Sequence, residues 1–366
     1  MTSGDAVNSR GAVTSRGREL DLFVSGAVFL DIIFTGLREL PAPGTEAWAP
    51  GMGSCPGGIA NLAVAAGRLG VRTGLSTAFS TDAYGDFCWQ ILSRQEGLDL
   101  SSSRRFDNWH TPVTVSLAYD RDRCMITHGH PVPVNTTGLV AELPAARAAS
   151  VSLTERRPAW LRTAKDAGTL VFADVGWDDS AAWSTSALEV LDDCHAFLPN
   201  AAEAMHYTRT DTPGDALRRL ADRVPVAVVT CGSDGALAID SDTGAPVSVP
   251  AVPVEALDPT GAGDVFTAGF IAGTLWGLPL RQRLAFATLV SALSVQHFGG
   301  SLSAPGWGDI TDWWRTTRTR ATRHHDESSE AALAARYGFL DDLLPRDERR
   351  TPRRAPATIT RLPDAA

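Results

Sequence analysis

Apolar residues along the chain fall into short runs rich in Val, Ile and Phe, separated by stretches whose apolar positions recur every three or four residues. The first run, residues 22–34 (LFVSGAVFLDIIF), has the β-branched and aromatic content of a core strand continuing into a second segment. After a Pro/Gly-rich stretch over residues 41–58, Ile59, Leu62, Ala66 and Leu69 share one helical face, and Gly70 supplies a stop. Residues 71–79 read as another strand, and residues 113–119 and 124–127 as a hairpin across the polar turn 120–123. From about residue 150 the rhythm becomes strand then helix. Strands are predicted over 169–174, 195–198 and 226–230, and paired edge strands over 236–239 and 247–249. Helices are predicted over 181–191, 201–207 and 215–223, and two long apolar ones over 262–276 and 280–297. That alternation predicts an α/β fold whose central, mostly parallel sheet is covered on both faces. The early β segments fall outside the rhythm and predict a smaller attached sheet.

The tail after about Thr316 is different in kind. Two charged, low-complexity runs flank one apolar stretch, residues 331–344, which predicts a single peripheral helix between disordered segments. On that basis the tail beyond about Arg320 is expected to be dispensable for activity. Residues 1–18 are rich in Ser, Gly and Arg without the apolar centre of a secretory signal, which predicts a disordered leader to about residue 20.

Composition narrows the function classes. The 366 residues suffice for one large domain or two small ones, and 44% hydrophobic with 20% charged residues is ordinary for a globular protein. A formal net charge of -9 argues against a general nucleic-acid surface, while leaving a small anionic substrate open. No apolar run approaches the roughly 20 residues that span a bilayer, so no membrane partner is expected. The five cysteines are scattered and form no CxxC pair, which fits reduced thiols in a cytoplasmic protein. Lys165 is the only lysine, so no GxxxxGK[ST] loop exists and P-loop chemistry is excluded.

The densest chemical signal is the run Asp258-Pro-Thr-Gly-Ala-Gly-Asp264. Gly261 and Gly263 let the backbone turn tightly and approach a ligand, and an apolar helix follows at once. The first N–H groups of a helix have no intrahelical partners and sit at the positive end of its dipole, which suits an anion. Asp264 there is either a helix cap or a general base beside a phosphate cradle, and local spacing alone leaves both open.

The run resembles the C-terminal signature of the ribokinase-like (PfkB-type) carbohydrate kinase family, D-T-x-G-A-G-D, with Pro259 standing where the family usually has Thr. Further matches fall in family order across nearly all of residues 22–305. The resemblance implies a three-layer α/β sandwich, a kinase domain over residues 21–315, and a small β lid from about residues 33–52 and 104–128. Asp264 would be the catalytic base, with the amides of Gly261, Ala262 and Gly263 stabilising the transferring charge. Asp31 sits where the family places an Asp that accepts hydrogen bonds from substrate hydroxyls. Gly57, Gly58 and Asn61 are similar to its N-terminal glycine motif, one residue shorter between the glycine pair and the Asn. Phe29 stands where ribose-specific members carry Asn, which argues against ribose.

Pro199-Asn200-Ala201-Ala202-Glu203 resembles the family's P-N-x-x-E run, in which Asn200 and Glu203 would organise Mg²⁺ and ATP phosphates, largely through water. By themselves the two residues equally suit a helix N-cap with a first-turn acid. Thr230 and Gly232, with Gly235 closing the same turn, match the nucleotide loop, and Thr288 falls where some members contact the adenine. Asp258 and the Thr260 backbone, with the Gly299-Gly300-Ser301 region, would hold potassium. Members often dimerise through lid strands, which makes a homodimer the implied assembly.

Asp174, Trp177 and Asp178 follow a predicted strand, at the end where doubly wound sheets bind ligands. Gly51-Met-Gly53-Ser-Cys-Pro-Gly57 misses dinucleotide-loop spacing by one residue, and His128, His130, His297, His324 and His325 lack metal-ligand spacing. The reading is therefore ATP-dependent phosphorylation of a sugar-like alcohol. A nucleoside kinase, a non-catalytic sugar- or nucleotide-binding homologue and a nicotinamide dehydrogenase are its rivals.

Overall fold

The computed structural model describes residues 20–119, 122–134, 136–140, 143–153, 157–176, 183–323 and 329–344. The leader and two of the candidates above, Trp177 and Asp178, lie outside these residues.

Fourteen strands occur among the described residues. They are β1 (Leu20–Ser25), β2 (Val28–Leu37), β3 (Gly51–Gly58), β4 (Thr73–Ser76), β5 (Ala78–Ser80), β6 (Arg104–Phe106), β7 (Val113–Tyr119), β8 (Asp122–His128), β9 (Ala146–Ser152), β10 (Leu170–Asp174), β11 (Ala196–Phe197), β12 (Val226–Thr230), β13 (Ala236–Asp240) and β14 (Pro246–Val249). Eight make one sheet in the order β14-β13-β12-β11-β10-β9-β1-β4. It is parallel from β4 to β12, and β13 and β14 close one edge in antiparallel fashion.

Alternation along these strands sorts the core into two layers. Leu22, Val24, Ala148, Phe172, Ala196 and Val228 join one buried cluster; Phe23, Ala149, Val171, Phe197, Ala227 and Val229 join the other. Each cluster is capped by helices, so the architecture is the expected three-layer sandwich. The helices Ala262–Leu275 and Leu280–Ser294 are buried nearly all round and lie against one another. Gly269 permits that approach, since a Cβ there would lie 2.6 Å from Val290 Cγ2 and 2.9 Å from Ala287 Cα.

A second sheet, β3-β2-β7-β8, stands off the sandwich. Two of its details depart from expectation. The Pro/Gly-rich stretch supplies β3, paired with β2 along its whole length, because ladder bonds do not need β-branched side chains. Residues 104–106 pair with β5 in a separate small sheet rather than joining the lid. Residues 71–79 form two strands, β4 and β5, instead of one. β9 and the helix Trp160–Asp166 escaped the pattern analysis, β9 because its sequence ARAASVS is short of large apolar residues.

The C-terminal stretch also differs. The helix Trp307–Arg323 is followed by two short ones, Ser329–Tyr337 and Leu340–Leu343, and Tyr337 and Leu340 are fully buried. Tyr337 meets Trp313 edge to face at 5.0 Å, and Trp314 Nε1 donates to Asp341 Oδ1 at 2.8 Å. Leu333, Tyr337, Leu340 and Leu344, at three-to-four-residue spacing, all pack on the core, so the segment expected as one peripheral helix is two short docked ones. Among the described residues, no helix is long and apolar enough to cross a membrane.

Candidate active site

The signature loop is held from both ends. Gly261 adopts φ +74°, a left-handed conformation that favours glycine, and Ala262 starts the helix. Asp258 is buried; its Oδ1 accepts from the Thr260 amide (2.9 Å) and hydroxyl (2.6 Å), and its Oδ2 from the Gly299 amide (3.1 Å). One carboxylate therefore ties the loop to the segment after the second long helix. The Ala262 amide donates to Pro259 O at 3.1 Å and is engaged inside the loop.

Asp264 lies in the first turn, where Asn61 Nδ2 donates to its Oδ2 at 3.2 Å. Burial pushes the Asp264 carboxyl up to about 6, partly offset by the Asn61 hydrogen bond, which favours the ionised form. Asn61 comes from the helix Ala60–Arg68 and is only 6% exposed. It is wedged between two glycines: a Cβ on Gly261 would lie 3.3 Å from its Nδ2, and one on Gly300 3.1 Å from its Cγ. Its Oδ1 is buried without a hydrogen-bond partner, an arrangement that costs free energy unless something from outside donates to it.

Asp31 projects from β2, opposite Cys55 on β3 and Thr114 on β7. Burial first, and the Asp258 charge second, push its carboxyl up to about 7, against a lowering hydrogen bond from Thr114. Gly57 makes room for it, since a Cβ there would collide with the Asp31 carboxylate. Gly58 sits at φ +65°, where a Cβ would lie 2.8 Å from Phe29 Cζ. Gly57 thus adjoins Asp31 on the β2–β3 ladder, and Asn61, three residues past Gly58, reaches Asp264.

On the other side of the same helix N-terminus lies a cavity of about 470 Å³, lined by Thr230, Gly232, Gly235, Gly263, Phe266 and Thr288 among others. Its outer wall is residues 251–254, and Ser291 and Ala292 line it beside Thr288. The sequence reading missed those wall residues because nothing in their types marks a site. Glu203 and Asn200 make a capping box, with the Glu203 amide donating to Asn200 Oδ1 at 3.0 Å and Glu203 Oε2 accepting from the Asn200 amide at 2.9 Å. They do not line the cavity. Burial raises the Glu203 carboxyl, and the bonds to Asn200 oppose that. Burial, then the charges of Asp264 and Glu203, hold Asp174 well above the usual carboxylate range. Three acids thus converge near the ends of β10 and β11.

A family model, pfkB family carbohydrate kinase, matches residues 22–307. The chain belongs to the PfkB family of carbohydrate kinases. Among curated relatives, a nucleoside kinase of Methanothermobacter thermautotrophicus is 28% identical over 79% of this chain and 94% of its own. Among solved structures, an Arabidopsis thaliana ribokinase complexed with ribose and ATP is 24% identical over 80% of this chain and 98% of its own, with a TM-score of 0.66. A putative ribokinase II of E. coli, in complex with ATP and Mg²⁺, covers 81% of this chain and 99% of its own at 21% identity, with a TM-score of 0.69. As a PfkB family kinase, this chain is an ATP-dependent phosphotransferase acting on a hydroxyl of a sugar or sugar-like molecule. The dehydrogenase and non-catalytic readings fall away.

Proposed function

We propose that Asp264 takes the proton of an acceptor hydroxyl as that oxygen attacks the γ-phosphorus of ATP held in the 470 Å³ cavity. The observation that carries this reading is the position of Asp264. It sits at the helix N-terminus between Asn61 and the cavity that reaches Gly263 next to it. The amides of Gly261 and Gly263, with the positive end of the helix, face the charge that develops on the transferring group. The Ala262 amide contributes only indirectly, because it already serves Pro259. The unpartnered Asn61 Oδ1 is suited to an acceptor hydroxyl, and Asp31 to another.

The chain also fits Mg²⁺. Among the described residues no group of three or more His, Cys, Asp or Glu is arranged to enclose a metal. Mg²⁺ held by phosphates and water needs no such cage. The repulsion among Asp174, Glu203 and Asp264 is what a nearby dication relieves. Bound Mg²⁺ would neutralise phosphate charge, with Glu203 and Asp174 orienting its water shell.

The acceptor wall suits a small polyol: Asp31, Thr114 and Thr127 lie side by side on the lid, with the two threonine hydroxyls 3.0 Å apart. A nucleoside is the second reading, favoured by the half-buried Phe29 ring beside Gly58 and by the nucleoside kinase relative. A panel of hexoses, pentoses and nucleosides, scored for phosphorylated product by mass spectrometry, separates the two. Turnover of no acceptor in either class would sink the reading.

Potassium beside Asp258 and Thr260 completes the proposal, since a cation there would bridge the two loops that Asp258 already ties. Replacing potassium by choline at fixed ionic strength is expected to lower kcat. An unchanged rate would count against a cation site.

A further inference from the structure

The segment that follows the family match reaches back to the nucleotide cavity. Residues 329–344 lie beyond the matched stretch, which ends at 307. The helix Ser329–Tyr337 packs on the helix Leu280–Ser294, which carries the cavity residues Thr288, Ser291 and Ala292. From its last turn, Arg336 Nη1 donates to the carbonyl of Pro250 at 3.0 Å. Pro250 immediately precedes the wall residues 251–254. It lies against Gly235 where the β13–β14 ladder ends, since a Cβ on Gly235 would lie 2.7 Å from its carbonyl carbon and 2.6 Å from the Ala251 amide nitrogen. Gly235, at φ +97°, is itself a cavity residue. Residues 246–249 are the edge strand β14, and residues 250–257 form no helix or strand. The wall therefore leaves the sheet at Pro250 and has no ladder of its own to fix it.

We propose that the C-terminal segment is a brace for the nucleotide wall, with Arg336 as its positioning residue. By pinning Pro250 against Gly235, Arg336 sets the spacing between residues 251–254 and the helix bearing Thr288, and so the affinity for the nucleotide base, without touching the nucleotide. Tyr337 and Leu340, both fully buried, anchor the helix from which Arg336 reaches out. The proposal rests on the reading of this cavity as the nucleotide site.

The test compares full-length wild type, Arg336→Ala and Arg336→Lys in steady-state kinetics and in calorimetric titration with ADP. Losing one hydrogen bond that orders a wall should raise the ADP Kd and the KM for ATP by roughly 3- to 10-fold in Arg336→Ala. The acceptor KM, and kcat at saturating ATP, should stay within about twofold. Lys can also donate to a carbonyl, so Arg336→Lys should recover most of the affinity. A general loosening of the fold would instead move both KM values and would not be rescued by Lys. An unchanged ADP Kd in Arg336→Ala overturns the brace. Ala292→Trp, which fills the cavity, separates the two assumptions. If ADP still binds that variant with normal affinity, the cavity is not the nucleotide site, and the brace falls with the reading beneath it.

Discussion

Replacing Asp264 with Asn is expected to lower kcat by roughly 10²–10⁴-fold while the protein stays folded and binds both substrates. The amide is close in size, caps a helix N-terminus about as well as a carboxylate and can still meet Asn61, but it cannot accept the hydroxyl proton. Binding should survive because Asp31, Asn61 and the cavity walls are untouched. Stability should not fall either. Burial raises the Asp264 carboxyl to about 6, so the native state holds its proton more tightly than the unfolded chain, where the value is 3.8. Its ionisation therefore costs stability progressively as pH rises from near 4 through about 6, and at pH 8 the full cost is present. Asn carries no such cost, so the melting temperature of Asp264→Asn at pH 8 should equal or exceed that of wild type. A folded variant with near-normal kcat would show that Asp264 is only a cap. Loss of ATP and acceptor binding, read by calorimetry, would make its role architectural.

Tyr337→Ala is expected to destabilise the protein by about 3–5 kcal/mol, the usual cost of truncating a large buried aromatic side chain. Tyr337 is completely buried, meets Trp313 edge to face and shares the core with Leu340. Its loss also undocks the helix on which Arg336 sits. Urea unfolding is the measurement, and a change below about 0.5 kcal/mol would mean that the C-terminal helices do not contribute to the folded core. The same geometry makes truncation beyond Arg320 a matter of stability as well as of activity, since it removes buried Tyr337 and Leu340. The apolar stretch 331–344 is legible as helical in the sequence, but its burial against the core is not.

Much of the fold was legible because the parallel strands are short and apolar on both faces, so β12 (VAVVT) and the two long apolar helices announce themselves. What escaped had no hydrophobic period. β3 (GMGSCPGG) is a strand made by pairing with β2, and its glycines matter for what they leave empty, as Gly57 does for Asp31. The signature loop was legible because left-handed Gly261 and a first-turn Asp are local requirements. The contact between Asn61 and Asp264 was not, since it joins residues 203 positions apart and depends on how two helices meet. Asn61 stood in the sequence reading as a substrate-binding residue. The structure turns one Nδ2–H of Asn61 to Asp264 and leaves its Oδ1 without a partner. The wall at 251–254 had no signal at all, being backbone and small apolar side chains.

If the ionised Asp264 carboxylate drives the chemical step, kcat must depend on its titration. Wild type and Asp264→Asn would be compared from about pH 5 to about pH 9 with ATP and acceptor both saturating, which confines the profile to groups of the ternary complex. Asp31, raised to about 7, would, in the proposed acceptor site, show in kcat/KM instead. Wild-type kcat is expected to fall below a pH near 6, about tenfold per pH unit, as Asp264 takes up its proton. In Asp264→Asn the residual rate should be low and flat across the range. The same acidic limb in both proteins would rule out Asp264 as the base, because the titrating group would then be another acid.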